Sequence, residues 1–228
     1  SQNAAILEDT VLYIRRSGGS ISKIAAMKNA VGNFIDQVTA NATGDPATNE
    51  DDVTHRLGIV KFSGNESDQI GNDTYRSDGN TYNYSQVVQG LTSVTGNVQS
   101  LKNTVNELAA AGSTRTDFGL NQAQRVLDGD RQHGLGGARE EAKQVVVVFT
   151  DGEPSTFSNW SGGVAANAVN LAKDLKDDKV TVYTIGMFED ADPSDTDGRF
   201  NKYMNGVSSN YPNAEVTNWR GDRTQDWD

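Results

Sequence analysis

The chain has 228 residues, enough for one sizeable core, with 35% hydrophobic and 22% charged residues, the balance of a folded and rather polar domain. Its formal net charge of -11 repels phosphate backbones and anionic lipid surfaces, which argues against nucleic acid and direct membrane docking. No cysteine is present, so disulfides, thiol catalysis and thiolate zinc sites are excluded together, and no apolar run approaches the roughly 20 residues of a membrane span.

Thr10–Ile14 (TVLYI) is an apolar, β-branched run and predicts a buried strand. It breaks at Arg15–Ser20 (RRSGGS). Ser22–Val38 then carries Ile24, Met27, Val31, Phe34, Ile35 and Val38 three and four residues apart, the spacing of an amphipathic helix, with Ser20 or Ser22 as its cap. Leu57–Phe62 (LGIVKF) reads as a second buried strand. Ser63–Tyr84 is long, polar and rich in Gly, Asn, Asp and Tyr, a length that points to function or to turns of its own. Val87–Leu91 reads as an edge strand, and Asn97–Ala110 and Asp117–Leu127 as helices.

The unbroken valines of Gln144–Thr150 (QVVVVFT) suit a strand covered on both faces, as in a parallel sheet. Gly163–Lys176 predicts a helix, Val180–Met187 a buried strand, Phe200–Val207 a short helix and Glu215–Trp219 a final edge strand. This alternation implies an α/β, doubly wound, Rossmann-like fold with a central, mostly parallel sheet and helices on both faces. Residues 1–228 read as a single domain, with 63–95 as a long insertion and 1–9 and 220–228 as the ends of an excised fragment. In such sheets ligands bind beyond the carboxyl ends of the strands.

Three segments converge on that edge: Arg15–Ser20, Ser113–Asp117 and Thr150–Pro154. Thr114 offers a hydroxyl and Asp151 a carboxylate, both suited to a hard divalent cation. The order of a strand with a serine-bearing loop, a threonine before a helix, and a strand ending in Thr-Asp-Gly resembles the von Willebrand factor A domain. VVVVFTDGEP (Val145–Pro154) and AGSTRTDFGL (Ala111–Leu120) carry the resemblance, which extends from Thr10 to about Val216. Phe62–Val88 and Asp197–Ala214 further resemble A domains of Gram-positive wall-anchored adhesins and pilus-tip subunits.

That family implies a metal-ion-dependent adhesion site for Mg²⁺ or Mn²⁺, with Thr114 and Asp151 as ligands. Its first loop should supply an aspartate and two serines. Here one register places Arg15 at the aspartate, with Ser17 as the first serine and Gly19, next to Ser20, at the second; the other places Arg16 there, with Gly18 and Ser20 following. Both put a guanidinium where a carboxylate is implied. Two like unit charges a few ångströms apart repel by about 4 kcal/mol at an effective dielectric near 20, a divalent ion more strongly, and arginine cannot shed its proton. A retained ion on Ser17, Ser20, Thr114 and Asp151 would therefore need compensation from Asp151, Glu153 or Asp117. The simpler expectation is no metal cofactor, with Arg15 or Arg16 in the ion's place, pairing with Asp151 or gripping a ligand's acid.

The other features are blander. Glu189–Asp197 (EDADPSDTD) lacks calcium-loop spacing and reads as a solvated turn capping the following helix. His55 and His133 stand apart from any nucleophile, Arg220-Gly221-Asp222 is a short motif of the kind that recurs by chance, and no acid, base and nucleophile set points to an enzyme. Tyr75, Tyr82 and Tyr84 mark a possible recognition loop, since aromatic side chains dominate binding hot spots. The expectation is an extracellular ligand-binding module of a wall-anchored surface protein, with a protein partner; the alternative is a structural scaffold of a pilus or wall-anchored protein.

Overall fold

The computed structural model describes residues 11–13, 22–43, 54–64, 74–77, 80–83, 85–110, 112–156, 159–187 and 198–217. In chain order the elements begin β1 (Val11–Tyr13), α1 (Lys23–Ala40), β2 (Arg56–Lys61), β3 (Thr74–Ser77), β4 (Asn80–Asn83), β5 (Gln86–Ser93), α2 (Val98–Asn106) and α3 (Thr116–Asp128). They continue with β6 (Val145–Thr150), β7 (Ser155–Thr156), β8 (Asn159–Trp160), α4 (Gly162–Asp177), β9 (Thr181–Gly186) and α5 (Arg199–Val207). The α/β class with a parallel sheet is as the sequence implies. The chain forms two compact units interleaved in sequence, one of Ser1–Gly18, Ser113–Leu120 and Lys143–Asp228, the other of Gly19–Gly112 and Asn121–Ala142.

The first unit holds a three-stranded parallel sheet in the order β1-β9-β6. Tyr13 and Thr150 are both in register with Gly186, so β1 and β6 end at one edge with β9 between them. Adjacent strands lie about 4.8 Å apart, so the backbones leaving β1 and β6 start roughly 10 Å from each other. On β9 Val182, Thr184 and Gly186 are buried in strict alternation, the period-two signature of a strand. β6 is less covered than its valines suggest: Val148 and Thr150 are buried, whereas Val145 is 42% exposed at the strand's start.

Helix α4 packs on β9 through small residues. Ala165, Ala168, Val169 and Ala172 fall on one stripe and are fully or almost fully buried, and Ser161 caps the helix by accepting from the Val164 N–H. Helix α5 packs on both α4 and β9, with Lys176 of α4 donating to the carbonyls of Gly206 in its last turn and of Ser208 and Tyr211 just past its end. The edge strand expected at Glu215–Trp219 is absent over its described part, residues 215–217. Val216 pairs instead with a side chain: Asn170 of α4 donates to its carbonyl at 3.1 Å and accepts from its N–H at 2.8 Å. The acidic turn expected to cap α5, Glu189–Asp197, lies outside the described residues. The N-cap is Gly198, which has no side chain.

The second unit is built on the antiparallel pair β2–β5, with α1 and α2 packed on each other and α2 on β5. Ile35, Ile59, Val94, Leu101 and Val105 form its core, flanked by Val31, Val38, Leu57, Val88 and Val98. Ser22 caps α1 by accepting from the Ala25 N–H, one of the two serines expected there. The stretch Ser63–Tyr84 contains the hairpin β3–β4, in which Tyr75 faces Tyr82 across the register. The ends Ser77 and Asn80 pair, and the two residues between them, Asp78-Gly79, spell a type I′ turn signature.

Candidate functional site

The site lies in the first unit, where β6 opens into residues 151–156. β6 delivers Asp151 beyond the carboxyl edge of the sheet, and Asp151 is exposed. The loop is folded back on its own strand: the Thr150 hydroxyl donates to the Gly152 carbonyl at 3.0 Å, and the Met187 N–H donates to the Thr150 carbonyl at 2.8 Å.

The second segment, Ser113–Asp117, is laced to this loop through Ser155. The Thr114 N–H donates to the Ser155 hydroxyl, and the Ser155 N–H donates to the Thr114 carbonyl, each at 3.0 Å. This two-point tie sets the Thr114 hydroxyl against Gly152. A Cβ at Gly152 would stand 2.9 Å from Thr114 Oγ1, closer than van der Waals contact permits. The fold thus brings together Thr114 and the Asp151 loop, two of the segments the sequence singles out. Arg15, Arg16, Ser17 and Ser20 lie outside the described residues, as does Tyr84.

The neighbouring acids are already committed. Arg115 is buried, stacks 3.6 Å from the centre of the Phe118 ring and clamps Asp117 bidentately, with Nε to Oδ1 and Nη2 to Oδ2 both at 2.9 Å. Asp117 also accepts from the Phe118 N–H at 3.0 Å, which anchors the first turn of α3. Glu153 pairs with Arg199, the first residue of α5, at 2.7 Å. Arg199 in turn lies over the Trp160 ring, 4.3 Å from its centre. Trp160 reads in the sequence only as a loop aromatic, and Arg199 does not stand out, because it lies far along the chain from both partners and shares no motif with them.

Below Trp160 the packing is polar and underpaired. Tyr203 meets Trp160 edge-on, with ring centres 6.0 Å apart and planes at 89°. Thr116 Oγ1, Trp160 Nε1 and the Tyr203 hydroxyl are buried without a hydrogen-bond partner among the described residues. The Thr116 and Tyr203 hydroxyls are neighbours outside bonding geometry, and burial, aided by the Asp117 charge, holds the Tyr203 phenol well above its usual pKa.

Of the donors the resemblance implies for a divalent cation, the described residues hold Thr114 and Asp151, one hydroxyl and one carboxylate; Ser17 and Ser20 lie outside them. Asp117 is clamped by Arg115 and Glu153 pairs with Arg199 at the surface, and among the described residues no three His, Cys, Asp or Glu side chains cluster. Elsewhere, in the second unit, Asp130 accepts from Arg125 at 2.6 Å and His133 at 2.8 Å. His133 is largely exposed, as its sequence context suggests, and this cluster reads as the tie of the turn after α3.

Solved structures similar to this chain include proximal thread matrix protein 1 from the mussel byssus, with a TM-score of 0.45 and 16% identity over 81% of this chain and 42% of that one. The pilus adhesin SpaC from Lactobacillus rhamnosus GG in its open conformation gives a TM-score of 0.44 and 16% identity, over 71% of this chain and 22% of the adhesin. A second structure of that adhesin gives 0.43 and 17%, over 72% and 22%. The chain therefore spans less than half the length of these solved chains. No curated protein matches the sequence. The profile of the von Willebrand factor type A domain matches residues 16–220, and the chain belongs to that family.

Proposed function

We propose that this chain is an extracellular ligand-binding module whose adhesion site works without a resident metal ion. The observation that carries this reading is the Thr114–Ser155 tie, which holds the Thr114 hydroxyl against Gly152 beside Asp151 and so preserves a ligand-facing platform. The sequence adds Arg15 and Arg16 where the family supplies its first carboxylate. A guanidinium there pairs with Asp151 or takes the acidic group of a protein partner directly, through short, charge-assisted bonds. Ser17 and Ser20 complete the loop as hydrogen-bond donors. The setting is the surface of a wall-anchored parent protein, in keeping with the adhesin-like stretches Phe62–Val88 and Asp197–Ala214. No enzymatic role is proposed.

The test is capture on a panel of immobilised extracellular matrix proteins, with and without chelator, alongside calorimetric titration with Mg²⁺, Mn²⁺ and Ca²⁺. Chelator-insensitive capture, weakened by Arg15→Gln with Arg16→Gln, is the expected result. Micromolar metal binding abolished by Asp151→Asn would overturn the metal-free reading.

A second reading is favoured by the β3–β4 hairpin, which pairs within itself and aligns Tyr75 with Tyr82. In that version the domain is a scaffold for a pilus or wall protein, and recognition belongs to the hairpin and Tyr84. Replacing residues 74–83 by a short turn separates the two: capture lost with folding intact assigns recognition to the hairpin.

A further inference from the structure

Arg199 is oddly placed for a surface cation. It opens α5, whose N-cap Gly198 provides no side-chain cap, so a positive side chain sits at the positive end of the helix dipole. Two groups hold it there: the Trp160 ring beneath its guanidinium at 4.3 Å, and one carboxylate oxygen of Glu153 at 2.7 Å.

The shelf under it is firm. Trp160 belongs to β8, which pairs with β7 through Ser155 and Thr156, and its ring is braced edge-on by Tyr203, a side chain only 1% exposed. The Arg199 side chain is 42% exposed, and its bond to Glu153 uses Nη2 alone. Its remaining N–H donors have no protein partner among the described residues. Stacking fixes the plane of the fork while leaving its edge presented, which is the geometry a carboxylate accepts bidentately. Glu153 is equally open to water, at 44% exposure, and an exposed pair of this kind is a weak tie.

We propose that Arg199, held flat by Trp160, reads an aspartate or glutamate side chain of a partner protein, with Glu153 as the internal stand-in that the partner's carboxylate displaces. This rests on the reading of the chain as a protein-binding module and names the chemistry the partner presents. It places a second anion-reading point beside the Asp151 loop, two residues from Asp151 through Glu153. In a chain of net charge -11 such a fork works as a short-range selector, since long-range attraction favours basic partners.

The experiment uses acetate as the probe on the whole chain, at constant ionic strength set with chloride. The Trp160 indole N–H and Arg199 Nε–H signals are followed by nuclear magnetic resonance and assigned with Trp160→Phe and Arg199→Lys. Both signals are expected to move saturably with acetate, and Glu153→Gln is expected to lower the midpoint roughly two- to fivefold, the factor an exposed ion pair is worth. Arg199→Lys keeps the charge but loses the fork, so saturation at Trp160 should vanish. A midpoint unchanged or raised in Glu153→Gln overturns the proposal, as does wild-type behaviour of Arg199→Lys. The Arg15→Gln, Arg16→Gln variant keeps the two ideas separable, because its acetate response at Arg199 should persist even where capture of matrix proteins fails.

Discussion

The Asn170 carboxamide takes both backbone groups of Val216, donating to its carbonyl at 3.1 Å and accepting from its N–H at 2.8 Å. A side chain of α4 thereby does for Val216, itself only 8% exposed, what a neighbouring strand would do. Asn170→Ala leaves a buried N–H and a buried carbonyl without partners, and a loss of about 2–3 kcal/mol in stability is expected from chemical denaturation. Asn170→Asp keeps the acceptor and turns the donor into a second acceptor, so it should not restore stability at neutral pH.

Gly152 and Thr114 form a steric pair that can be measured. Gly152→Ala pushes a methyl to within 2.9 Å of Thr114 Oγ1, and the two bonds to Ser155 keep Thr114 from yielding. A cost of about 1–3 kcal/mol is expected. In a Thr114→Ala background most of that cost should disappear, giving a coupling above about 0.5 kcal/mol in the double-mutant cycle. Simple additivity would mean that the contact carries no strain.

The Tyr203 hydroxyl is buried beside Thr116 with no bonding partner among the described residues. Tyr203→Phe removes a desolvated polar group and keeps the edge contact with Trp160, so thermal melting should show stability unchanged or raised by about 1 kcal/mol. A loss of that size would show that the hydroxyl is satisfied, for instance by a buried water.

Asp130 sets an acid limb for the second unit. The hydrogen bond from Arg125, then that from His133, lowers its folded pKa below the ordinary value of 3.8. The unfolded chain then takes up the proton first. The stabilisation is full above the unfolded value and is lost as pH falls through the folded one. Urea midpoints of the wild type and Asp130→Asn should differ at pH 6, and the gap should begin to narrow only as pH falls below the ordinary value of 3.8; a gap that stays constant with pH would sink this assignment.

What could be read from the sequence followed what repeats locally. The valines of β6, the alternation on β9, the three-and-four spacing of α1 and its Ser22 cap are all local patterns, and their elements formed where those patterns lie. No strand formed over residues 215–217, because the β-branched pair Val216-Thr217 says nothing of whether a strand or an asparagine will meet it. The β3–β4 hairpin was hidden by its polar composition, although Asp78-Gly79 marked its turn. At the site, Thr114 and Asp151 were legible through their motifs. Glu153 was named only as a compensating acid, and its meeting with Arg199 and Trp160 was not legible, because cation–π stacking and an ion pair to a residue far along the chain leave no periodic trace.

Ser155 has a consequence beyond holding a loop. Its N–H and hydroxyl grip Thr114, while its place in β7 is opposite Trp160, the shelf of Arg199. One residue is thus shared by the Asp151 platform and the arginine shelf, and any coupling between ligands at the two would be reciprocal. Ser155→Ala removes the hydroxyl that accepts from the Thr114 N–H and keeps the backbone bond, so it should weaken such a coupling without abolishing either event.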